Sequence, residues 1–357
     1  MTRNLSLSCY KGKRVFVTGD TGFKGSWLCW WLVQLGAEVG GYALAPRPAN
    51  AHFCLLNLAG EMEHVDGDIR DFAALDKALA GFGPEIVFHL AAQPLVRASY
   101  AEPRRTVDTN VGGSSNLLDA ICRSPSVRAL VFITSDKCYR NKEWVWGYRE
   151  TDELGGHDPY SASKAAAELV FAGYWDSFFK ERAGFGAGSV RAGNVIGGGD
   201  WSENRIVPDC IRWLQAGQPI VLRNPMATRP WQHVLEPLSG YLLLGSRLLA
   251  EPKRFSGAWN FGPRCDCAHP VQEVAERIVR LWGSGEVRTV PDPKALAEAG
   301  WLQLNCDKAH LELGWRPRWD FERAVGEAVA WYKEISCGRP AREVTSRQIE
   351  QYCHTPL

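Results

Sequence analysis

Short apolar runs alternate with longer segments of mixed polarity along this chain. Residues 14–17 form a β-branched apolar run that meets glycines at once, which predicts a buried strand. Past the glycines, residues 26–35 read as a helix. Further runs recur at 39–44, 64–68, 86–90, 129–134 and 188–190, with helix-like stretches between most of them. Strands apolar along their whole length are buried on both faces. Their alternation with helices predicts an α/β fold, a Rossmann-like doubly wound parallel sheet. From about Arg191 the chain turns to loops punctuated by Gly, Pro and Trp, with helices near 208–215, 237–249 and 270–282. The expected division is a Rossmann-like domain over 1–190, rejoined by part of 233–262 where the chain crosses back near 259–261. Residues 191–357 mainly form a smaller C-terminal substrate-binding lobe over the carboxyl edge of the sheet.

Composition narrows the function. With 357 residues, 45% of them hydrophobic, the chain can bury a full core, which excludes a disordered or fibrous protein. Its 41 Lys and Arg balance 40 Asp and Glu, so no overall field draws in a polyanion and nucleic acid is not an expected partner. The first ten residues lack the apolar run of a signal peptide, and the most apolar stretch, 27–35, is too short to span a bilayer. A soluble, cytoplasmic protein without a membrane partner is expected. The 11 cysteines show no repeated ligand spacing and read as reduced thiols. Cys265 and Cys267 flank an aspartate, but no second Cys/His pair has zinc-site spacing, so no metal is expected.

Gly19-Asp20-Thr21-Gly22-Phe23-Lys24-Gly25 places three glycines between the first predicted strand and the first helix. Glycine is needed where a turn is tight and where backbone must approach a pyrophosphate at a helix N-terminus, so this turn is a candidate dinucleotide site. Asp68 and Ile69 end the third predicted strand, where they either meet an adenine ring or form a turn. The second strand ends without a carboxylate for a ribose hydroxyl, and Arg47 lies just beyond, so this strand leaves NAD and NADP both open.

Tyr160 and Lys164 open an alanine-rich helix. Four residues apart they share one face, so the ammonium can stabilise the phenolate. An unperturbed tyrosine has a pKa of about 10, and a nearby cation is what makes it a usable base near neutrality. With the glycine turn and the hydroxyls of Thr134 and Ser135 at a strand end, the pair resembles the signature of the short-chain dehydrogenase/reductase family over most of the chain. That resemblance implies that Tyr160 handles an alcohol proton, that Lys164 also holds the nicotinamide ribose, and that Thr134 or Ser135 positions the substrate.

Asp136-Lys137 follows directly. Alone it would read as a solvent-facing charge pair, but at the catalytic strand end it offers an acid and a base. Oxidising a hexose at C4 makes the C5 proton removable, and water can then leave across C5 and C6 if both groups are at hand. Hydride returned to C6 closes the cycle without net redox change, which favours NAD retained through turnover. Residues 22–27, 91–97, 134–139, 143–150, 155–160, 190–201 and 229–234 resemble the nucleotide-sugar dehydratases of the extended short-chain family in detail. The resemblance implies a cytidine substrate, CDP-glucose, and a homodimer or higher homo-oligomer. It implies that Gly19, Thr21, Gly22, Phe23, Lys24, Gly25, Asp68, Ile69, Leu90, Ala91, Ala92 and Gln93 bind cofactor together with Tyr160 and Lys164. Thr134, Asp136 and Lys137 complete the catalytic set, while Gln93, Asn194, Arg205, Arg223, Arg229 and Asn260 hold the nucleotide sugar. Trp201 and Trp231 are candidates to stack on base or sugar. Asp20 departs from the histidine that similar sequences often carry, and a carboxylate near the phosphates is expected to weaken cofactor retention. The competing readings are an epimerase or reductase using the same tyrosine and lysine, and a non-catalytic dinucleotide sensor.

Overall fold

A computed structural model describes residues 7–46, 50–264, 268–290 and 301–356. Its centre is a seven-stranded sheet built from β1 (Arg14–Thr18), β2 (Glu38–Ala43), β3 (Glu63–Asp66), β4 (Ile86–His89), β5 (Ala129–Ile133), β6 (Gly186–Arg191) and a seventh strand, Gly257–Asn260. The spatial order is seventh, β6, β5, β4, β1, β2, β3, and every pairing is parallel. The doubly wound parallel sheet is therefore as the periodicity predicts.

The uniform apolarity of the inner strands has a direct cause. In β1, Val15 and Val17 enter the core on one face while Phe16 enters the core on the other. β5 repeats this, with Ala129, Val131 and Ile133 on one side and Leu130 and Phe132 on the other. Two cores thus demand apolar residues at every position. β6 starts before its apolar run of 188–190 because Gly186 carries no hydrophobic signal yet packs against Pro252. β3 differs from the expectation of burial: Glu63, Val65 and Asp66 are exposed, as befits a sheet edge.

Helix Phe23–Gln34 starts three residues before the predicted 26, since Gly25 lies inside its first turn. Helix Leu235–Ala250 packs on β5 and β6. Helix Ala341–His354 returns to helix Phe23–Gln34, where Trp30 Nε1 donates to Ser346 Oγ (3.0 Å) and Trp31 meets Tyr352 edge to face (6.0 Å between centroids). Three two-stranded pairs lie outside the large sheet: Val195–Ile196 with Gln232–His233, Thr228–Pro230 with Ala268–Pro270, and Ile220–Leu222 with Val287–Thr289. Arg47, Cys265 and Cys267 lie outside the described residues. Among the described residues, no helix is long and apolar enough to cross a membrane, and no group of three or more His, Cys, Asp or Glu could hold a metal.

Candidate active site

The turn after β1 is shaped by what a side chain would strike. Gly19 has φ +78°, and a Cβ there would lie 2.7 Å from the Ala91 backbone nitrogen. A Cβ on Gly25 would run into the Gly19 carbonyl. Both contacts hold the turn down against the helix and the end of β4. Gly22 is the N-cap and offers no side chain, so the first-turn N–H groups of Phe23–Gln34 are left for an anion. Thr21 Oγ1 donates to the Leu44 carbonyl (2.9 Å), and Leu90 and Ala91 are anchored by their N–H groups to the Thr18 carbonyl and Thr18 Oγ1. The cradle fits a dinucleotide. Asp68 is held by Arg70, which keeps its carboxyl below the ordinary value. The Ile69 side chain is buried against Gly113, whereas Asp68 lines a groove with Asp108 and Asn116.

Asp20 does not point at the phosphate position. Its side chain is fully buried, fills the space beside Gly41 of β2, and accepts from His64 Nδ1 of β3 (2.6 Å). Burial raises its carboxyl above the ordinary value although His64 opposes the rise. The expected weakening of phosphate binding therefore lacks a geometric basis: the carboxylate belongs to the underside of the turn.

Helix Pro159–Tyr174 carries the tyrosine and lysine. Its start is fixed by Asp158, whose side chain accepts from Ser161 N (2.9 Å), and by proline at the first position. Tyr160 is buried; burial pushes its phenol up to about 12, with the nearby Ser135 hydroxyl and Arg205 pulling the other way. Ser135 Oγ donates to Asp136 Oδ1 (2.9 Å). The hydroxyl that holds the carboxylate thus also acts on the phenol. Thr134 faces elsewhere: it donates to Glu168 and to the Val190 carbonyl (3.2 Å). Both residues lie just past β5, and it is Ser135, not Thr134, that meets the tyrosine. This corrects the placement of Thr134 in the catalytic set.

Lys164 is buried, and burial lowers it to about 8 against the opposing pull of Glu168. Glu168, one turn further along, was not anticipated. Its buried carboxylate accepts from Thr134, from Ser189 Oγ (2.8 Å) and from Arg191 Nε and Nη2 (both 2.9 Å). Burial alone would raise it, but Arg191 and the hydroxyls hold it below its ordinary value. The spacing 160, 164, 168 is the same four-residue step that identified the first two, so the signal was present. Lys24 also reaches this cluster: burial and then Arg205 lower it to about 8, while Asp136 and Asp200 pull it up.

The substrate candidates separate. Arg205 is drawn in, paired with Asp200 (2.8 Å) and acting on both Tyr160 and Lys24. Asn194 has φ +46° and its carbonyl accepts from Gln232 N (3.2 Å). Arg229 is buried and donates to the Thr228 carbonyl (2.9 Å), and Arg223 is exposed just past Ile220–Leu222. Gln93 ties its amide to Thr106 Oγ1 (2.8 Å) and Leu95 N (2.5 Å), which fixes the loop after β4. Asn260 is corrected: it is fully buried, its amide donates to the Tyr148 and Asn305 carbonyls (2.8 and 3.0 Å) and accepts from Tyr139 (2.9 Å). With those partners it braces the loop 139–148 and presents no free donor to a diphosphate. Trp231 is likewise buried, donating to the His269 carbonyl (2.9 Å).

The profile of the GDP-mannose 4,6 dehydratase family matches residues 16–328. The chain is 49% identical to a CDP-glucose 4,6-dehydratase of Salmonella typhimurium over 96% of its own length and 97% of the relative's. Among solved structures, it is similar to a dTDP-glucose 4,6-dehydratase of Streptomyces venezuelae with NAD bound, at 25% identity and TM-score 0.76, covering 92% of this chain and 99% of that one. A Thermus thermophilus UDP-glucose 4-epimerase in complex with NAD gives 26% identity and TM-score 0.74, covering 90% and 99%.

Proposed function

The chain belongs to the GDP-mannose 4,6 dehydratase family, and from that premise we propose that it is an NAD-dependent hydro-lyase converting CDP-glucose to CDP-4-dehydro-6-deoxyglucose. The observation that carries this is the grouping of Tyr160 with Asp136, whose carboxylate Ser135 holds at 2.9 Å and whose charge acts on the phenol; it sets the group suited to alcohol oxidation beside one suited to elimination. An epimerase working by the tyrosine and lysine alone has no use for the second of those groups.

Gly19, Gly22 and Gly25 with the backbone of Leu90–Ala92 would hold NAD, and Lys164 would meet its nicotinamide ribose. NAD bound there supplies the two-electron acceptor at C4 and the donor at C6. Tyr160 takes the C4 hydroxyl proton. For that its phenol must fall from about 12, and the protonated Lys164 lowers it once substrate and cofactor close the site. Lys137 takes the C5 proton, the C5–H electron pair becomes the C5–C6 double bond, and the C6 hydroxyl leaves as water with a proton from Asp136. Lys137 then returns a proton to C5 as C6 is reduced, and the proton taken up by Tyr160 restores Asp136, so only water is lost. Arg205 and Asn194 line the nucleotide side, where planar guanidinium donors suit phosphate.

Assembly as a homodimer or higher homo-oligomer and a cytoplasmic location belong to the same reading. The exposed Leu169 and Phe178, on and just beyond helix Pro159–Tyr174, support the first. The direct test is incubation with CDP-glucose and NAD, followed by the ultraviolet absorbance of a 4-keto sugar in alkali. Its appearance is the expected result, and its absence with CDP-glucose overturns the assignment.

A further inference from the structure

Asp136 has a second neighbour that no motif marks. Gly193 lies two residues beyond β6, and a methyl group on its Cα would run into both oxygens and the carboxyl carbon of Asp136. The carboxylate cannot retreat, because Asp136 is only 3% exposed and Ser135 holds its Oδ1. Gly193 is equally fixed. Gln232 Nε2 donates to its carbonyl (3.0 Å) and to that of Phe261 (3.1 Å), while Gln232 N donates to the Asn194 carbonyl (3.2 Å). Gln232 is itself buried, so the pair Val195–Ile196 with Gln232–His233 pins the Gly193 backbone that walls off the carboxylate. The backbone does not require glycine here, since Gly193 is not among the residues with positive φ. What requires it is the space that the carboxylate fills.

We propose that Gly193 is a positioning residue for the elimination: its missing side chain makes the seat that holds Asp136 against Ser135 and within reach of the departing C6 oxygen. This rests on the dehydratase reading above. A general acid displaced by even about 1 Å loses about a hundredfold in rate. The C4 oxidation depends on Tyr160 and Lys164, which lie on another element, and should be spared.

The test uses full-length enzyme in four forms: wild type, Gly193→Ala, Asp136→Ala, and the double variant. In thermal unfolding, Gly193→Ala is expected to lower the midpoint when Asp136 is present and to have no such effect beside Asp136→Ala, where the carboxylate no longer occupies the space. An equal penalty in both backgrounds overturns the contact. The double variant folds under this proposal even where Gly193→Ala does not, so a misfolded single variant beside a stable double supports it and two misfolded proteins overturn it. In single turnover with CDP-glucose and NAD, folded Gly193→Ala is expected to form reduced cofactor near the wild-type rate while the 4-dehydro-6-deoxy product falls about a hundredfold. A parallel fall of both signals overturns the role. A wild type that makes no 4-keto sugar overturns the dehydratase reading instead, so the two failures are told apart.

Discussion

Tyr160 and Lys164 stand on a 16-residue helix whose start is fixed by a side-chain cap and a proline, whereas Asp136 and Lys137 stand on a 3-residue turn, Asp136–Cys138, after β5. In the helix, a repeat of four residues puts the phenol, the ammonium and Glu168 on one face, so the spacing itself carries the chemistry. In the short turn, orientation comes from elsewhere: from Ser135 on one side and the Gly193 wall on the other. Oxidation is therefore built on regular local structure, and elimination on tertiary contacts. Changes on the two sides should have separable effects.

The largest effect is expected from Tyr160→Phe. Removing the phenolic oxygen should leave the fold intact and slow both reduced-cofactor formation and product release by at least about a hundredfold, near 2.7 kcal/mol of transition-state stabilisation. Near-normal turnover in a folded variant would remove Tyr160 from the oxidation step and with it the comparison. Asp136→Asn and Lys137→Met come next. Each should lose about a hundredfold in 6-deoxy product while still reducing cofactor in a single turnover. Deuterium at C5 should persist longest in Lys137→Met. Exchange at the wild-type rate in that variant would assign the C5 base to another group.

The same contrast explains what could be read from the sequence. The sheet was legible because β1 and β5 feed two cores and so are apolar throughout, and the glycine turn because each glycine answers to a collision at Ala91 or at the Gly19 carbonyl. Ser135 and Thr134 could not be told apart until the structure fixed which of them meets Tyr160 and which meets Glu168, both on helix Pro159–Tyr174. Asn260 misled because a polar residue at the end of a strand looks like a ligand, and only its bonds to Tyr148 and Asn305 show it bracing a loop. Gly193 lies 57 positions from Asp136 and in no turn that demands glycine, so nothing local announces it. Lys24 was visible as part of the phosphate turn, but its approach to Asp136 and Arg205 depends on how the helix meets the later half of the chain.

The smallest expected effect concerns Asp20, where the cofactor turn borrows stability from the sheet edge. His64 bridges Asp20 at 2.6 Å and Asp66 at 3.0 Å. Burial works against a charged His64 ring, but the two carboxylates outweigh it, and its pKa stands above the ordinary 6.5. A histidine whose folded pKa is raised adds stability that is fully present below the unfolded value and is lost as pH rises through the folded one. Wild-type protein should therefore lose stability as pH climbs above about 6.5, by about 1 kcal/mol, carried by the buried Asp20 contact, since solvent screens the one to the exposed Asp66. His64→Asn should abolish that slope and lower stability on its acid side. Because the Asp20 carboxylate lies under the turn and not among the phosphate donors, Asp20→Asn should alter the same pH profile yet change NAD affinity by no more than about threefold. Unfolding midpoints across pH and a titration with NAD read the two separately. A large gain in NAD affinity in Asp20→Asn with an unchanged pH profile would return the carboxylate to the phosphate site and reverse the structural assignment.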